Sequence, residues 1–362
     1  QKDGILFKMR RTQDLPDKES ATMFFQDCKL AHQAQITGIS HSVKEILPPD
    51  LLDLTQLQKE ANIRYGFTAS EVYDIAQSLY EKKLISYPRT SSRYLTEDVL
   101  DSLSPIMARL LSWELFPAAK GTGGIDISSL SRHVINAEKA NVHHAIIITG
   151  IRPGNMSEKE MQVYRLVAGR MLETFMAPCR IETTNVEAVC AAQHFKAEQT
   201  RIIEAGWHDV FMRSDMVPKS GYSVNELPEV EKSDTLNVCG CNMVHKKQLP
   251  VNPFTDAELV EYMEQNGLGT VSSRTNIIRT LVNRKYIRYS GKYIVPTPKG
   301  MFTYETIRGK KIADTSLTAD WEKQLAGLES GMITGQDFLN RIRTLAKEMT
   351  DDIFNTYSTK EE

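Results

Sequence analysis

The chain has 362 residues, with 41% hydrophobic side chains, 25% charged side chains and a formal net charge of −2. This length predicts two or three domains, and the composition is typical of a globular protein with an ample core. A membrane-spanning protein is excluded, because no apolar run approaches the roughly 20 residues that a bilayer helix needs. The five cysteines include no CxxC pair, which argues against a disulfide framework or a zinc ribbon and favours a cytoplasmic protein.

Extended and helical segments alternate along the chain. Residues 1–50 are predicted to form strands and loops, beginning with the alternating Ile5, Phe7 and Met9. Residues 51–180 are predicted to be mostly helical, and residues 181–250 return to strands. Residues 251–362 are helical again. Three Ser/Thr-x-x-Glu capping boxes mark helix starts, and they lie at residues 68–71, 157–160 and 255–258.

This order predicts a multidomain α+β protein. Residues 1–50 and 181–250 would form one β domain, an arch into which the helical domain of residues 51–180 is inserted. Residues 251–362 would form a second helical domain. Its order of helix, turn, helix and hairpin, ending in a hairpin at about 286–295, is that of a winged helix.

Positive charge is concentrated in one part of the chain. Residues 267–311 contain ten lysines and arginines and one acid, Glu305. A basic patch on a nearly neutral protein is typical of a surface that binds a polyanion such as DNA. The same charges would also suit a solvated surface without a ligand, so charge alone leaves both interpretations open.

The segment Leu84-Ile-Ser-Tyr87-Pro88-Arg89-Thr-Ser-Ser-Arg-Tyr-Leu95 contains the residues with the clearest chemistry. A helix is predicted to end before it, and Pro88 prevents that helix from continuing, so Tyr87 would lie on a turn. A tyrosine can attack a phosphate, and an arginine two residues away can bind the phosphate and offset its developing charge. Taken alone, this spacing more often belongs to a buried structural tyrosine.

Residues 87–95 closely resemble the active-site signature of type IA DNA topoisomerases. Three further blocks follow in the order of that family: residues 143–149, residues 254–287 with Gly267-Leu-Gly-Thr-Val-Ser-Ser-Arg274, and residues 317–322. The resemblance spans nearly the whole chain and is closer to topoisomerase III than to the zinc-tailed topoisomerase I. It implies a toroidal body in which a β arch carries the helical domain with the active-site tyrosine.

The resemblance also implies roles for particular residues. Tyr87 would form a 5′-phosphotyrosyl bond with a cut strand of single-stranded DNA, and religation would need no ATP. Arg89 would hold the phosphate, and His143 would act beside it by phosphate contact or proton transfer. The expected DNA-contact residues lie at the start of a helix and in the histidine pair: Ser272, Ser273, Arg274, Arg279 and His144. Helix capping is a second role open to the two serines.

Two departures and one missing part qualify the resemblance. Ser91 replaces a frequent aspartate, and Ile148 replaces the proline before Thr149. The family's Mg²⁺ site lies in an N-terminal toprim domain, and no such domain precedes Gln1. We therefore expect a fragment that is inactive alone and has no metal site of its own. The full-length protein is expected to be a Mg²⁺-dependent monomeric enzyme of the cytoplasm, associated with the nucleoid. Its expected partners are the toprim domain and single-stranded DNA.

Two other classes of protein remain as alternatives. A non-catalytic winged-helix protein would explain the basic segment but leaves the Tyr87 signature without a role. A tyrosine recombinase also combines tyrosine, arginine and histidine, but it places its tyrosine near the carboxyl terminus after an Arg-His-x-x-Arg set. Here Tyr87 lies early and that set is absent.

Overall fold

The protein is described by a computed structural model that covers residues 1–113, 115–116, 132–140, 143–211, 220–244 and 252–358. The chain divides into two compact units. The first comprises Gln1–Pro49, Glu114–Ser131 and Met171–Pro250, and the second comprises Asp50–Trp113, Arg132–Arg170 and Val251–Glu362. The first unit contains the β-sheet, and the second contains all the residues expected to act on DNA. The three-domain boundaries expected from the sequence remain a prediction.

The first unit is built around an antiparallel sheet whose strand order is β1-β4-β3-β2-β5. Its strands come from both sides of the helical region in the sequence, so the α+β fold with an inserted helical segment is confirmed. Ile36, Val186 and Ala188 form part of its core, and helix α1 (Lys18–Leu30) contributes Cys28. The strands are β1 (Arg10–Arg11), β2 (Gln33–Ile46), β3 (Cys179–Cys190), β4 (Gln193–Glu204) and β5 (Thr235–Asn237).

The second unit is mainly helical, and the three predicted capping boxes are all formed. In each, the first residue's side-chain oxygen accepts from the amide three residues on, and the glutamate accepts from the first residue's amide. The helices up to the second β segment are α2 (Leu54–Tyr65), α3 (Ala69–Glu81), α4 (Glu97–Ser112) and α5 (Glu158–Thr174), of which α5 continues into the first unit.

The predicted winged helix is present in the second unit. Helices α6 (Asp256–Gln265) and α7 (Val271–Asn283) are followed by an antiparallel hairpin of β6 (Ile287–Ser290) and β7 (Tyr293–Pro296). Val260, Met263, Ile278 and Ile294 pack together as its core. Three further helices complete the unit: α8 (Pro298–Ile307), α9 (Thr315–Glu329) and α10 (Gly335–Ser358).

Two expectations for residues 1–50 were wrong. The alternation of Ile5, Phe7 and Met9 does not form a strand, and the first ladder begins only at Arg10. Phe7 and Met9 nevertheless pack against the core of the first unit, so the alternation reflects burial without backbone pairing. The second error is helix α1, which occupies a segment expected to contain only strands and loops. None of the helices in the described ranges is long and apolar enough to cross a membrane.

Candidate active site

Tyr87 lies on a short extended segment that follows helix α3. The helix ends at Glu81. Lys83, two residues further on, has a φ of 60° in the left-handed region, and the Leu84 amide then donates to the Leu79 carbonyl. Pro88 is buried directly after Tyr87 and prevents any return to helix. The break expected from the sequence is therefore formed, and it leaves the Tyr87 side chain half-buried at the end of α3.

The segment before Tyr87 pairs with the segment that follows His143. The Ser86 amide donates to the Ile147 carbonyl at 2.8 Å, and the Thr149 amide donates to the Leu84 carbonyl at 3.1 Å. These bonds form an antiparallel bridge between Ile85 and Ile148. The bridge uses the Ile147 carbonyl as an acceptor and the Thr149 amide as a donor, and these two groups flank Ile148. Two sequence blocks about 60 residues apart are thereby joined.

The Tyr87 ring contacts two other rings. Its centroid is 4.4 Å from that of the His143 imidazole at an interplanar angle of 43°. The Tyr80 ring contacts the Tyr87 ring edge-on, with 5.4 Å between the two centroids and an interplanar angle of 79°. Aromatic contacts of this kind favour one ring orientation over others. The nucleophile expected from the sequence is thus held beside the histidine expected to assist it.

Arg89 extends from the same loop onto helix α3. Its Nη2 donates to Oε1 of Gln77 at 3.2 Å, and its guanidinium carbon lies 5.0 Å from the centroid of the Tyr73 ring. Within the described part of the chain, its buried Nε has no hydrogen-bond partner. A guanidinium is suited to bind an anion such as a phosphate, and the bond to Gln77 holds this one in place.

Thr90 connects the loop directly to His143. Its hydroxyl donates to the His143 carbonyl at 2.9 Å and accepts from the Ser92 amide at 3.0 Å, and the residue is 3% exposed. Its own carbonyl accepts from the Leu54 amide at the start of α2. The backbone of His143 is therefore fixed by the residue three positions after Tyr87.

Two further polar contacts surround this loop. Arg93 Nε donates to Oδ2 of Asp53 at 2.6 Å, and Oδ1 of the same carboxylate caps helix α2 through the Gln56 amide. His144 Nδ1 is 2.7 Å from the Ala145 carbonyl, which identifies that nitrogen as the protonated one. Ser91, in the position where the family often has aspartate, is exposed and lines an adjoining cleft with Asp53 and Arg93.

The residues expected at the start of α7 are largely engaged within the second unit. Thr270 is the N-cap, and its amide donates to the Ser273 hydroxyl at 2.8 Å, whereas Ser272 is exposed. Arg274 is 8% exposed and pairs with Glu264 at 3.2 Å. Arg279 pairs with Asp74 of α3 at 2.8 Å. The structure thus brings Tyr87, Arg89 and His143 together, and of the α7 residues expected from the sequence Arg279 contacts helix α3.

Sequence reasoning missed the role of helix α3. Tyr73, Gln77 and Tyr80 contact Arg89 or Tyr87, and none was singled out beforehand. Their spacing of four and three residues places them on one helix face, distinct from the buried Val72, Ala76 and Leu79. A row of polar and aromatic side chains leading to the Tyr87 turn was the signal that could have identified them.

The described residues contain no group of three or more histidine, cysteine or acidic side chains placed to hold a metal ion. The residues present therefore do not fit a Mg²⁺ site.

Comparisons with known proteins identify the family and agree with the fold. A sequence model of the family described as DNA topoisomerase matches residues 2–340. The chain therefore belongs to that family, and its motifs are those of the type IA enzymes. A crystal structure of full-length topoisomerase I from Thermotoga maritima shares its fold, with a TM-score of 0.72 and 22% identity over 94% of this chain and 56% of that chain.

Among curated proteins, the chain is similar to several that are named DNA topoisomerase 3. It is 31% identical to the one from Bacillus licheniformis, over 88% of this chain and 47% of the relative. It is 30% identical to the one from Bacillus subtilis, over 90% of this chain and 48% of the relative. The chain thus spans about half the length of the curated relatives it matches.

Proposed function

We propose that the full-length protein is an ATP-independent type IA topoisomerase in which Tyr87 cuts and holds one strand of single-stranded DNA. The observation that carries this proposal is the contact between the Tyr87 and His143 rings, with Arg89 anchored on the same loop. Three residue types suited to phosphoryl transfer meet at one turn of a chain that belongs to the topoisomerase family.

In the proposed step, the Tyr87 phenol oxygen forms a bond to the phosphorus of a phosphodiester. The bond between that phosphorus and the 3′ oxygen breaks, which leaves a 5′-phosphotyrosyl strand and a free 3′-hydroxyl. The phenol loses one proton and the leaving 3′ oxygen gains one. Because an ester is exchanged for an ester, religation reverses the step without ATP.

Arg89 and His143 would assist this exchange in different ways. Arg89 would bind a non-bridging phosphate oxygen through its donors that Gln77 does not occupy, and so offset the charge that develops there. His143 would contact the phosphate or transfer a proton, since its imidazole lies against the attacking ring.

The DNA strand would extend from this loop towards the start of α7. Ser272 supports this path best, because the residue is exposed at a helix N-terminus, where backbone amides favour phosphates, and its hydroxyl lies 3.2 Å from that of the N-cap Thr270. Ser273, Arg274 and Arg279 would act from the same helix, and their internal bonds show that they also hold α7 in place. His144 would contribute a contact from the adjacent loop.

Strand passage, the Mg²⁺ requirement, the oligomeric state and the cellular location concern the full-length protein. We expect the β arch of the first unit to permit passage of a second strand through the cut, so that the enzyme relaxes or decatenates DNA. We expect Mg²⁺ in a toprim domain outside this chain, a monomeric enzyme and a cytoplasmic, nucleoid-associated location. The 362-residue chain alone would bind DNA without cutting it. Its span of about half the curated relatives supports this division.

A non-catalytic winged-helix protein accounts less well for the same structure. The winged helix alone would not require that Tyr87, His143 and Arg89 be gathered on a loop outside it. The match to the DNA topoisomerase family covers that loop as well as the winged helix.

The proposal is tested by relaxation of negatively supercoiled plasmid by the full-length protein with Mg²⁺ and without ATP. The expected result is relaxation by the wild type and none by Tyr87→Phe, which removes the attacking oxygen and keeps the ring. Relaxation by Tyr87→Phe at the wild-type rate would overturn the assignment of Tyr87. A wild-type protein that binds DNA and never relaxes it would support the non-catalytic alternative.

A further inference from the structure

The ten cations of residues 267–311 separate into two equal groups in the structure. Five form ion pairs with carboxylates: Arg274, Arg279, Arg308, Lys310 and Lys311. The other five form no ion pair with any residue that the structure describes, and they are Arg284, Lys285, Arg288, Lys292 and Lys299. All five unpaired cations lie within residues 284–299.

This unpaired charge lies on and beside the β6–β7 hairpin. All five side chains are exposed, and residues 284–299 contain no acid. We call Arg284, Lys285, Arg288 and Lys292 the wing surface. Lys299 is set apart because its Nζ donates to the Arg284 carbonyl at 2.9 Å and lies 4.6 Å from the Tyr286 ring centroid.

The hairpin register shows how the wing surface is presented. Ile287, Tyr289 and Ile294 share the inner face, where Ile294 is buried and the Tyr289 hydroxyl donates to Asp256 at 2.9 Å. Arg288 alternates with them and therefore points to the opposite, outer face. The inner contacts fix the hairpin, so the outer charges are displayed on a supported element.

An aromatic ring accompanies the charges on the outer face. Tyr293 pairs with Ser290, which places it on the same side as Arg288, and the Lys292 Nζ lies 5.3 Å from its ring centroid. Lys292 also contributes to the lowering of the pKa of Glu258, after hydrogen bonds from Thr255, although it forms no ion pair with that carboxylate. Cations interleaved with an aromatic ring are typical of surfaces that contact nucleic acid.

We propose that the wing surface binds the phosphate backbone of DNA, as a contact separate from the residues at the start of α7. Four exposed like charges without carboxylate partners repel one another, and a polyanion relieves that repulsion while its counterions are released. The inference rests on the proposed function, because DNA is the ligand in both. It adds that the main electrostatic contact lies on the hairpin, since Arg274 and Arg279 are already paired.

The test compares two variants of the full-length protein with equal changes in net charge. The wing variant carries Arg284→Gln, Lys285→Gln, Arg288→Gln and Lys292→Gln. The control variant carries Lys323→Gln, Arg341→Gln, Arg343→Gln and Lys347→Gln, which remove four exposed cations from α9 and α10. Fluorescence anisotropy would give the dissociation constant for a single-stranded oligonucleotide and for a duplex at several salt concentrations.

The wing variant should bind at least one of the two DNA forms about ten-fold more weakly or worse at low salt. Its slope of log K against log salt should be shallower by about 3, since each phosphate contact contributes roughly 0.7 to 0.9. The control slope should change by less than about 1. The single variant Arg288→Gln should change the slope by about 1 and guards against misfolding of the quadruple variant.

Each other outcome has a defined meaning. If the wild type binds DNA and the wing and control variants behave alike on both forms, the wing proposal is wrong and the proposed function stands. If the wild type binds neither form, both are wrong. A larger loss on single-stranded DNA than on duplex would identify the strand to be cut as the wing ligand, and the reverse would identify flanking duplex.

Discussion

The imidazole of His143 lies against the ring of Tyr87, with 4.4 Å between their centroids. The two residues are far apart in sequence, and two sets of bonds bring them together. The extended segments beside them pair through Ser86 and Thr149, and Thr90 donates to the His143 carbonyl. The backbone of both segments therefore holds the two rings in contact.

Gln77 should act as a positioning residue for Arg89. Gln77→Ala removes the acceptor that holds Nη2 and should slow single-turnover cleavage of an oligonucleotide by about ten-fold, because hydrogen bonds to charged groups contribute about 1.5–3 kcal/mol. DNA affinity should change little. Gln336→Ala on α10 removes another amide that bonds to a side chain and is the control. Equal cleavage rates in the two variants would contradict this role.

Tyr80 should orient the attacking ring through its edge contact. Tyr80→Phe keeps that contact and should leave the cleavage rate near that of the wild type, whereas Tyr80→Ala should lower it by about two- to ten-fold. This range corresponds to the roughly 0.5–1.5 kcal/mol of an aromatic pair. Single-turnover rates at saturating DNA provide the measurement, and a Phe variant as slow as the Ala variant would instead assign a role to the hydroxyl.

Thr90 should stabilise the loop as well as place His143. Thr90→Val keeps the shape but removes the bond to the His143 carbonyl and the acceptor of the Ser92 amide. Because both groups lie around a buried side chain, the free energy of unfolding should fall by about 2 kcal/mol. Urea denaturation gives this value. Thr350→Val, which removes an exposed bond within α10, should change it by less than about 0.5 kcal/mol.

Asp256 should make the free energy of unfolding fall as pH rises, which is the opposite of the usual effect of an aspartate. Burial raises the pKa of its carboxyl, and the bond from Tyr289 only partly opposes this. The folded state therefore holds the proton more readily than the unfolded state, so stability falls as pH rises from the ordinary aspartate pKa to the raised folded value. Asp256→Asn should gain stability relative to the wild type over that interval, with a constant advantage above it.

Asp314 is the matched control for this prediction. It caps α9, and bonds from Ser316 lower its pKa, so its stabilising contribution is present above the ordinary aspartate pKa and is lost as pH falls through the lowered value. Asp314→Asn should therefore lose stability relative to the wild type at neutral pH. At about pH 8, the urea midpoint of Asp256→Asn should lie above that of the wild type, and the midpoint of Asp314→Asn should lie below it. An Asp256→Asn midpoint at or below that of the wild type would contradict the assignment for Asp256.

Local sequence signals predicted much of this fold. The capping boxes at Thr68, Ser157 and Thr255 form as expected, because each depends on residues only three positions apart. The winged helix and its hairpin also follow their local pattern. Helix α1 was missed because it buries only Cys28, so its apolar residues show no clear helical period.

The candidate site was predictable in its motif residues and not in its supports. Tyr87, Arg89 and His143 were identified through a resemblance to a known family. The contacts from Tyr73, Gln77 and Tyr80 depend on how the loop folds back onto α3, which no local pattern specifies. The ion pairs that Arg274 and Arg279 form with carboxylates likewise depend on tertiary contacts. Because these two charges are paired, the unpaired positive charge lies on and beside the hairpin.

Covalent trapping tests the central claim most directly. The full-length protein would be mixed with a single-stranded oligonucleotide and Mg²⁺, denatured, digested and examined by mass spectrometry. The account predicts a 5′-phosphate adduct on Tyr87 that is lost in Tyr87→Phe and retained in Tyr80→Phe, the variant of the tyrosine 5.4 Å away. An adduct on Tyr80 or another residue, or a 3′-phosphate linkage, would contradict it.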